Sequence, residues 1–552
     1  MNPRTSYWTP LMYSVLVAIG LLGGYLLNTN TPLVTIGSAT RSVVGAGGIE
    51  QLMGYIEARY VDEPDVASLN RTAIDAILSE LDPHSSYIPA EELQALNDNM
   101  EGNFKGIGIE YLVIDDTITV VSALPGGPSE GAGVRSSDQV IYVDDSLVVG
   151  VTERQIDPAS LMQGPEGTEV TIRVQRQGVS DLLPFTIARA SIPLNSVDAA
   201  YTIDPDVAYV RINRFSKTTY SEFMAALETH LEEAGAKHLI LDLRGNPGGY
   251  LQEATKLLSE LFVERGTLLV YTEGRSSSRQ PYKSNGRARY NLQNVAILVD
   301  GGSASASEIV AGAVQDHDRG VVVGRRTFGK GLVQEQYPLG DGGALRLTVA
   351  RYYTPSGRSI QRDYDGDEDY RGDLSRRYTS GELTGRTGVN VDSSLIYYTD
   401  SGHEVFGGGG VTPDYFVPLD SSLSNAAYLA LRQEIPAYVL RYVRAEPLAR
   451  RYTDLRAFRR GFRPDMNTVL RQLRQQAADG QDGEDPVSGL SPTLRDELTL
   501  FFRARVARQL YGPTAYFEVY NEEDETVQQA LRLIKERNPL AAARQPQQML
   551  TE

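Results

Sequence analysis

The fold is decided by a strand, a small-residue turn and a helix that follow one another: Val295-Ala296-Ile297-Leu298-Val299-Asp300, Gly301-Gly302-Ser303-Ala304-Ser305-Ala306-Ser307-Glu308, and Ile309-Val310-Ala311-Gly312-Ala313-Val314. The apolar run predicts a buried strand. A strand that enters a helix through such a turn places hydroxyls beside the free amides of the helix N-terminus, an arrangement typical of acyl-transfer nucleophiles. Ser303, Ser305 and Ser307 are all candidates, and the alternative is that the serine only caps the helix.

Strands and helices alternate on both sides of this stretch, from about Val207 to Tyr353. Leu239 to Leu243 predicts a second buried strand, and a helix is expected near Gln252 to Leu261. This alternation indicates an α/β core.

A base for the serine is expected in the next element, Thr327-Phe328-Gly329-Lys330-Gly331-Leu332-Val333-Gln334. The chain has five histidines in 552 residues and no cysteine, which disfavours a histidine triad and excludes a cysteine nucleophile. Residues 324–331 nearly match a phosphate-binding loop, but Gly331 replaces its hydroxyl residue and a strand follows instead of a helix. We expect Lys330 in an apolar, glycine-flanked strand, where burial lowers an amine's pKa; the alternative is a surface lysine.

A second module is predicted from about Gly102 to Ala190, where short β-branched strands alternate with glycine turns. It resembles a PDZ domain of the bacterial protease type in Phe104 to Ile109, Leu124 to Ser129, Gly131 to Val134, Ser137 to Ile141 and Gly164 to Thr168. In such a domain a loop points its amides at a peptide's terminal carboxylate, and a strand edge pairs with the peptide. The loop here consists of Lys105, Gly106, Ile107 and Gly108. The alternative is a set of ordinary turns.

The motifs together resemble the carboxyl-terminal processing peptidases, also called tail-specific proteases. The resemblance extends from about Ile49 to Leu419 and is carried by these stretches: Leu81 to Ser85, Leu241 to Gly249, Gly302 to Glu308, Thr327 to Gln334, Arg351 to Gln361, and Gly407 to Asp414. It implies a crotonase-like ββα protease core and a Ser-Lys dyad in place of a histidine triad.

Site residues follow from the resemblance position by position. Ser305 matches the nucleophile, Lys330 the base, and Gln334 the residue that positions the lysine amine. The oxyanion donors match the amides of Gly249 and Ala306. Asp316 matches an acidic position that some members carry near the site; we assign it a supporting role, the alternative being that it caps the helix end.

The N-terminus predicts a membrane anchor. No residue from Thr5 to Thr40 is charged, and Leu11 to Leu27 is mostly apolar, which approaches the length of a bilayer-spanning helix. We expect an uncleaved single-pass anchor in the inner membrane, with the catalytic part in the periplasm or otherwise outside the cytoplasm. The alternatives are a cleaved signal peptide, which would give a secreted protein, and a buried helix.

Five segments are expected: a signal anchor at 1–30, an N-terminal helical segment at 45–100, a PDZ domain at 101–190, a serine protease core at 191–420, and a C-terminal helical extension at 421–552. The sequence does not indicate a role for the C-terminal extension.

The net charge of −18 argues against general nucleic-acid binding. No cofactor or metal is expected, because Asp363 to Asp369 lacks the sixth-position glycine and twelfth-position glutamate of a calcium loop.

The predicted function is a serine endopeptidase that recognises the C-terminal tails of extracytoplasmic proteins. A homo-oligomer or an adaptor is left open. One rival is a PDZ scaffold or chaperone that binds tails without cleaving them, which would not require Ser305, Lys330 and Gln334 together. The other rival is a crotonase-like acyl-CoA enzyme, which rests on fold analogy alone.

Overall fold

The computed structural model describes residues 47–364, 370, 372–388, 393–446, 448–478 and 490–544. The predicted anchor at 1–30 lies outside these ranges, as do residues 365–369 of the acidic loop. None of the helices within the described ranges is long and apolar enough to cross a membrane. In the same ranges no group of three or more histidine, aspartate or glutamate side chains could hold a metal ion.

The chain divides into two compact units between Ile74 and Asp75. The described helices are α1 (Gly48–Arg59), α2 (Val66–Ser79), α3 (Ala90–Glu101), α4 (Pro128–Ala132), α5 (Pro158–Met162), α6 (Thr219–Leu227), α7 (Leu251–Leu261), α8 (Ala306–Asp316), α9 (Asp373–Thr379), α10 (Ala426–Ala445), α11 (Leu448–Arg451), α12 (Leu455–Gly461), α13 (Met466–Ala478), α14 (Pro492–Tyr511), α15 (Pro513–Tyr520), α16 (Glu525–Ile534) and α17 (Pro539–Ala543).

The described strands all lie in the second unit. They are β1 (Ser86–Ile88), β2 (Asn103–Gly106), β3 (Ile109–Ile114), β4 (Thr117–Ala123), β5 (Gln139–Val143), β6 (Ser146–Leu147), β7 (Glu169–Gln175), β8 (Leu183–Ala188), β9 (Ala190–Pro193), β10 (Val197–Asp204), β11 (Val207–Ile212), β12 (His238–Asp242), β13 (Leu268–Glu273), β14 (Gln280–Lys283), β15 (Val295–Val299), β16 (Val321–Gly324), β17 (Leu332–Pro338), β18 (Ala344–Tyr353), β19 (Ile396–Tyr398), β20 (Glu404–Phe406) and β21 (Tyr415–Phe416).

The central sheet has the order β10-β11-β12-β15-β16-β21, parallel except for the β10–β11 pair. Side chains alternate between its two faces. Leu241 and Ile297 pack on one face with residues of α6, α7 and α8. Ile240 and Leu298 pack on the other face with residues of α16 and α17. The sheet is therefore buried on both sides, which explains why its strands read as continuous apolar runs.

A second sheet, of order β1-β18-β13-β14 with β17 also on β18, stands beside the central one. The short strand β1 pairs with residues 344–346 of β18. The N-terminal region predicted as helical therefore contributes a strand to a core sheet, and this strand brings residues 82–85 toward β17 and β18.

A separate sheet, of order β3-β4-β5-β7-β8 with β6 on β5, occupies the region that resembles a PDZ domain. The predicted carboxylate-binding loop joins two strands, because β2 ends at Gly106 and β3 begins at Ile109. Gly108 lies between them with φ +73°, a conformation that breaks a strand. Because β3 pairs only with β4 within this sheet, its other edge lies outside the sheet's hydrogen-bond ladder.

The C-terminal helices α10 to α15 share an apolar core of their own. In contrast, α16 packs through Val527, Ala530, Leu533 and Ile534 on the central sheet. Because α16 covers one face of the central sheet, it is part of the protease core, a role that the sequence did not reveal.

Candidate active site

The predicted nucleophile lies where β15 leads into α8. Ser305 immediately precedes α8 and has φ +55° and ψ −113°, a conformation that non-glycine residues rarely adopt. The turn is held from outside, because Ala304 N donates to Asn246 O at 3.0 Å and Ser303 Oγ donates to Leu243 O at 2.8 Å. Such strain persists when surrounding bonds over-determine it, and it is frequent at functional sites.

The turn that holds Gly249 contacts the serine turn. Gly248 has φ +96°, and a side chain there would come within 2.8 Å of both Ser305 Cβ and Ala306 N. In the part of the chain that the structure describes, the amide hydrogens of Gly249 and Ala306 have no hydrogen-bond partner. The two predicted oxyanion donors are therefore both available to a substrate oxygen.

Lys330 lies in an extended segment just before β17, and the prediction that it stands within a strand is wrong. Its backbone amide donates to a Glu308 side-chain oxygen, so it is not part of the sheet ladder. Its Nζ donates to Gln334 Oε1 at 2.9 Å, and Gln334 Nε2 donates to His84 O at 2.5 Å. Among the described residues no hydrogen bond joins Ser305 Oγ to Lys330 Nζ; such contacts are often long in ligand-free enzymes and tighten with substrate.

Burial lowers the pKa of the Lys330 amine, and the nearby Arg346 guanidinium lowers it further. The charges of Asp82 and Glu308 act in the opposite direction. The net effect favours a neutral amine, which is the form a general base requires.

Tyr352 and Glu308 link the serine segment to the lysine segment. The Tyr352 hydroxyl donates to Ser305 O at 3.0 Å and also to Lys330 O. Glu308 accepts hydrogen bonds from the backbone amides of both Ser305 and Lys330, each at 2.8 Å. The backbones of the two predicted catalytic residues are thus held to each other at two points.

Asp316 is not brought to this site. It lies at the far end of α8, about 16 Å along the helix axis from its start. Its carboxylate pairs with the fully buried Arg358 at 2.8 Å and accepts from Ser356 N at 3.0 Å. The structure therefore gives Asp316 a structural ion pair in place of the predicted supporting role, because it lies at the opposite end of the helix, eleven positions after the nucleophile.

Sequence reasoning missed three contributors to the site. Glu308 had a usable signal, since Ser305-Ala306-Ser307-Glu308 has the serine-to-glutamate spacing of a capping box. His84 acts through its backbone carbonyl oxygen, and Tyr352 reaches the site from the neighbouring strand. Both contacts depend on the β1–β18 and β17–β18 pairings, so neither leaves a local pattern in the sequence.

The predicted carboxylate-binding loop lines a cavity of about 680 Å³. Lys105, Gly106, Ile107 and Gly108 form one wall of it. Further lining residues come from the edge strand β3, from α5 and from the facing helix α3. The amides of Ile107 and Gly108 have no partner within the described ranges, so both can donate to a ligand.

The chain is similar to known proteases. A model of peptidase family S41 matches residues 206–369. The carboxy-terminal-processing protease of Bartonella bacilliformis is 39% identical over 317 residues, covering 55% of this chain and 70% of that protein. Carboxy-terminal processing protease CtpB of Bacillus subtilis is 35% identical over 318 residues, covering 57% of this chain and 65% of that protein. A solved PDZ domain of a carboxy-terminal protease from Vibrio cholerae is 27% identical, with coverage of 17% and 99% and a TM-score of 0.15.

The fold and the site therefore define a serine-type peptidase. The chain belongs to peptidase family S41, among the carboxy-terminal processing proteases. Family membership confirms the predicted enzyme class and removes the scaffold and acyl-CoA alternatives. The crotonase-like label for the core stays a prediction.

Proposed function

We propose that this peptidase cleaves peptide bonds with a Ser305–Lys330 dyad. The neutral Lys330 amine takes the proton of Ser305 Oγ as that oxygen attacks the substrate carbonyl carbon. The Gly249 and Ala306 amides donate to the resulting oxyanion. The Lys330 ammonium then protonates the leaving amine, and the same amine activates water to hydrolyse the acyl-enzyme. The observation that carries the proposal is a strained serine with two unpaired amide hydrogens beside it and a lysine linked to it through Glu308 and Tyr352.

Substitution of the dyad tests this proposal. Ser305→Ala and Lys330→Ala should each abolish cleavage, and the double variant should be no worse, because residues that act as a unit are non-additive. Lys330→Arg should also be inactive, since a guanidinium remains protonated. The matched control is Ser307→Ala, because the Ser307 hydroxyl already donates to Asn246 O at 2.9 Å. Cleavage retained in Ser305→Ala or Lys330→Ala would refute the dyad.

We propose further that the PDZ loop selects substrates by their C-terminal tails. The free edge of β3 offers a strand for the peptide to pair with, and the unpaired Ile107 and Gly108 amides can donate to its carboxylate. The cavity also presents the apolar side chains of Phe104, Ile109 and Met162, which suit an apolar terminal residue.

One unfolded substrate with a free, an amidated and a deleted apolar tail tests tail selection. Amidation removes charge-assisted hydrogen bonds worth about 1.5 to 3 kcal/mol each, so cleavage should fall at least about tenfold. Gly108→Val should mimic this loss, since Gly108 has φ +73° and Ile192 Cδ1 lies 3.1 Å from its would-be Cβ. Gly131→Val is the control, because no atom lies within 4 Å of its would-be Cβ. Equal rates for the three tails would rule out tail selection.

We also propose that the catalytic part lies outside the cytoplasm, as the apolar run from Leu11 to Leu27 predicts. External protease added to intact spheroplasts should then degrade the protein. Full protection of the protein would reverse this assignment.

A further inference from the structure

Glu308 is buried in the protease core within the first turn of α8, with no exposed surface. Its Oε2 accepts from the backbone amides of Ser305 and Lys330, each at 2.8 Å. Its Oε1 accepts from Gly329 N at 2.7 Å and from Thr327 Oγ1 at 2.5 Å. One carboxylate thus collects four donors, one from the serine turn and three from the lysine segment.

This pattern exceeds what a helix cap requires. A serine, asparagine or aspartate side chain at the cap position satisfies a helix N-terminus through one or two bonds. A glutamine at 308 could accept on one oxygen only, so its NH2 group would face two of the four donors. A carboxylate can satisfy all four, but burying its charge is costly, and the four donors are all neutral.

We infer that Glu308 is the positioning residue that holds the Ser305 turn and the Lys330 segment at their working separation. The inference rests on the proposed dyad and deepens it. Each of the two Glu308 oxygens bonds the lysine segment, and Oε2 bonds both predicted catalytic residues at their backbone amides. Loss of the carboxylate would leave two links between the segments in the described residues, the Tyr352 hydroxyl and the Phe328 N–Ser303 O hydrogen bond at 3.0 Å, and only the first touches both predicted catalytic residues.

Protonation should disrupt the same arrangement. Burial raises the pKa of Glu308 to about 7, against the opposing effect of its four hydrogen bonds. A protonated carboxyl must donate a hydrogen, yet three of its four neighbours are backbone amides that cannot accept it, and the fourth, Thr327 Oγ1, already accepts from Val411 N at 2.7 Å. Three titratable groups interact electrostatically with Glu308, namely Lys330, Tyr352 and Tyr370, and burial raises the pKa of both tyrosines, which keeps them neutral. Activity should therefore require both an ionised Glu308 and a neutral Lys330.

The test is Glu308→Gln in the full chain, with Glu260→Gln as the matched control. Glu260 is also buried and accepts from a hydroxyl and a backbone amide, those of Tyr220 and Arg289, but it does not touch the dyad. For Glu308→Gln we expect kcat to fall about 100-fold with KM nearly unchanged, since a misplacement of about 1 Å costs about that factor. Glu260→Gln should leave kcat within about twofold at a comparable loss of thermal stability.

The acid limb of log kcat/KM against pH supplies a second readout that a purely structural role would not change. In the unmodified enzyme its slope should approach 2, because two groups must lose protons. In Glu308→Gln the slope should fall to 1. A limb of slope 1 in the unmodified enzyme would overturn the inference even if the variant failed to fold, and so would unchanged kcat in a folded Glu308→Gln. If Ser305→Ala or Lys330→Ala retained activity, the proposed dyad itself would have failed, which is a different result.

Discussion

Arg346 lies beside the predicted base on the strand pair that carries Gln334. It is opposite Gln336 in the β17–β18 register, two residue pairs along from Gln334 and Thr348 and therefore on the same face of the sheet. After burial, its charge is the largest influence lowering the pKa of Lys330. A positive charge at this position helps to keep the amine neutral.

Replacing Arg346 should therefore shift the pH dependence of catalysis. In Arg346→Gln the pKa of Lys330 rises, so the amine becomes neutral only at higher pH, and kcat/KM should fall at neutral pH but recover in alkaline buffer. Arg346→Lys keeps the charge and should keep the profile. The measurement is kcat/KM from pH 5 to 10, and an unshifted profile in Arg346→Gln would contradict the argument.

Tyr352 offers a test of the second bridge between the serine and lysine segments. Tyr352→Phe removes this donor from two partly buried carbonyl oxygens, at a cost of about 1 to 3 kcal/mol, and should lower kcat more than it raises KM. Tyr353→Phe is the control, because the neighbouring ring stacks on Tyr271 instead. Comparable kinetics and denaturation midpoints for the two variants would show that the bridge is unimportant.

At this scale the candidate residues could be read from the sequence, but the contacts between them could not. Ser305, Lys330 and Gln334 stand in motifs, so their positions could be read directly. The lysine segment, in contrast, takes its backbone partners from a glutamate side chain 22 residues earlier, and Gln334 is anchored by a carbonyl 250 residues earlier. Such pairings arise from tertiary structure and leave no periodicity to detect.

At the scale of elements, α16 is the least expected part of the core. Its apolar residues have helical spacing, which predicts an amphipathic helix but not the surface it covers. The structure fixes its start through Asp524, which caps α16 by accepting from Val527 N at 2.9 Å. The same carboxylate makes two 2.9 Å bonds to Arg244, which also pairs with the fully buried Asp242.

Two substitutions of Asp524 should separate the cap from the ion pair. Asp524→Ala removes both, and we expect it to lower the free energy of unfolding by about 2 to 4 kcal/mol. Asp524→Asn keeps a capping oxygen and should cost clearly less. Urea denaturation followed by circular dichroism measures both values. Equal losses would mean that the capping oxygen contributes little beyond the ion pair.

At the scale of the second unit, the C-terminal helices reach the PDZ region through polar contacts. Arg508 pairs with Glu110 on β3 at 2.8 Å, and Gln509 donates to Val121 O and Ser136 Oγ, each at 3.0 Å. Arg441 pairs with the exposed Asp115 at 3.3 Å. Half-exposed pairs of this kind contribute about 0.2 to 1 kcal/mol each and weaken with salt.

A charge swap tests whether these contacts hold the PDZ sheet in place. Arg508→Glu should increase amide hydrogen exchange along β3 and α14, and adding Glu110→Arg should restore protection. The increase should be larger at low salt, where the native pair is strongest. Unchanged exchange in Arg508→Glu would show that the Arg508–Glu110 pair does not hold this sheet in place.

The position of α16 in the chain sets an order of events during synthesis. The ribosome makes Ser305 about 220 residues before α16, which is some 10 to 45 seconds at about 5 to 20 residues per second. Throughout that interval the apolar face formed by Tyr209, Ile240 and Leu298 has no α16 to cover it. The nascent chain therefore exposes an apolar sheet surface until its last helices emerge. Until then the chain must be bound by a chaperone or remain unfolded.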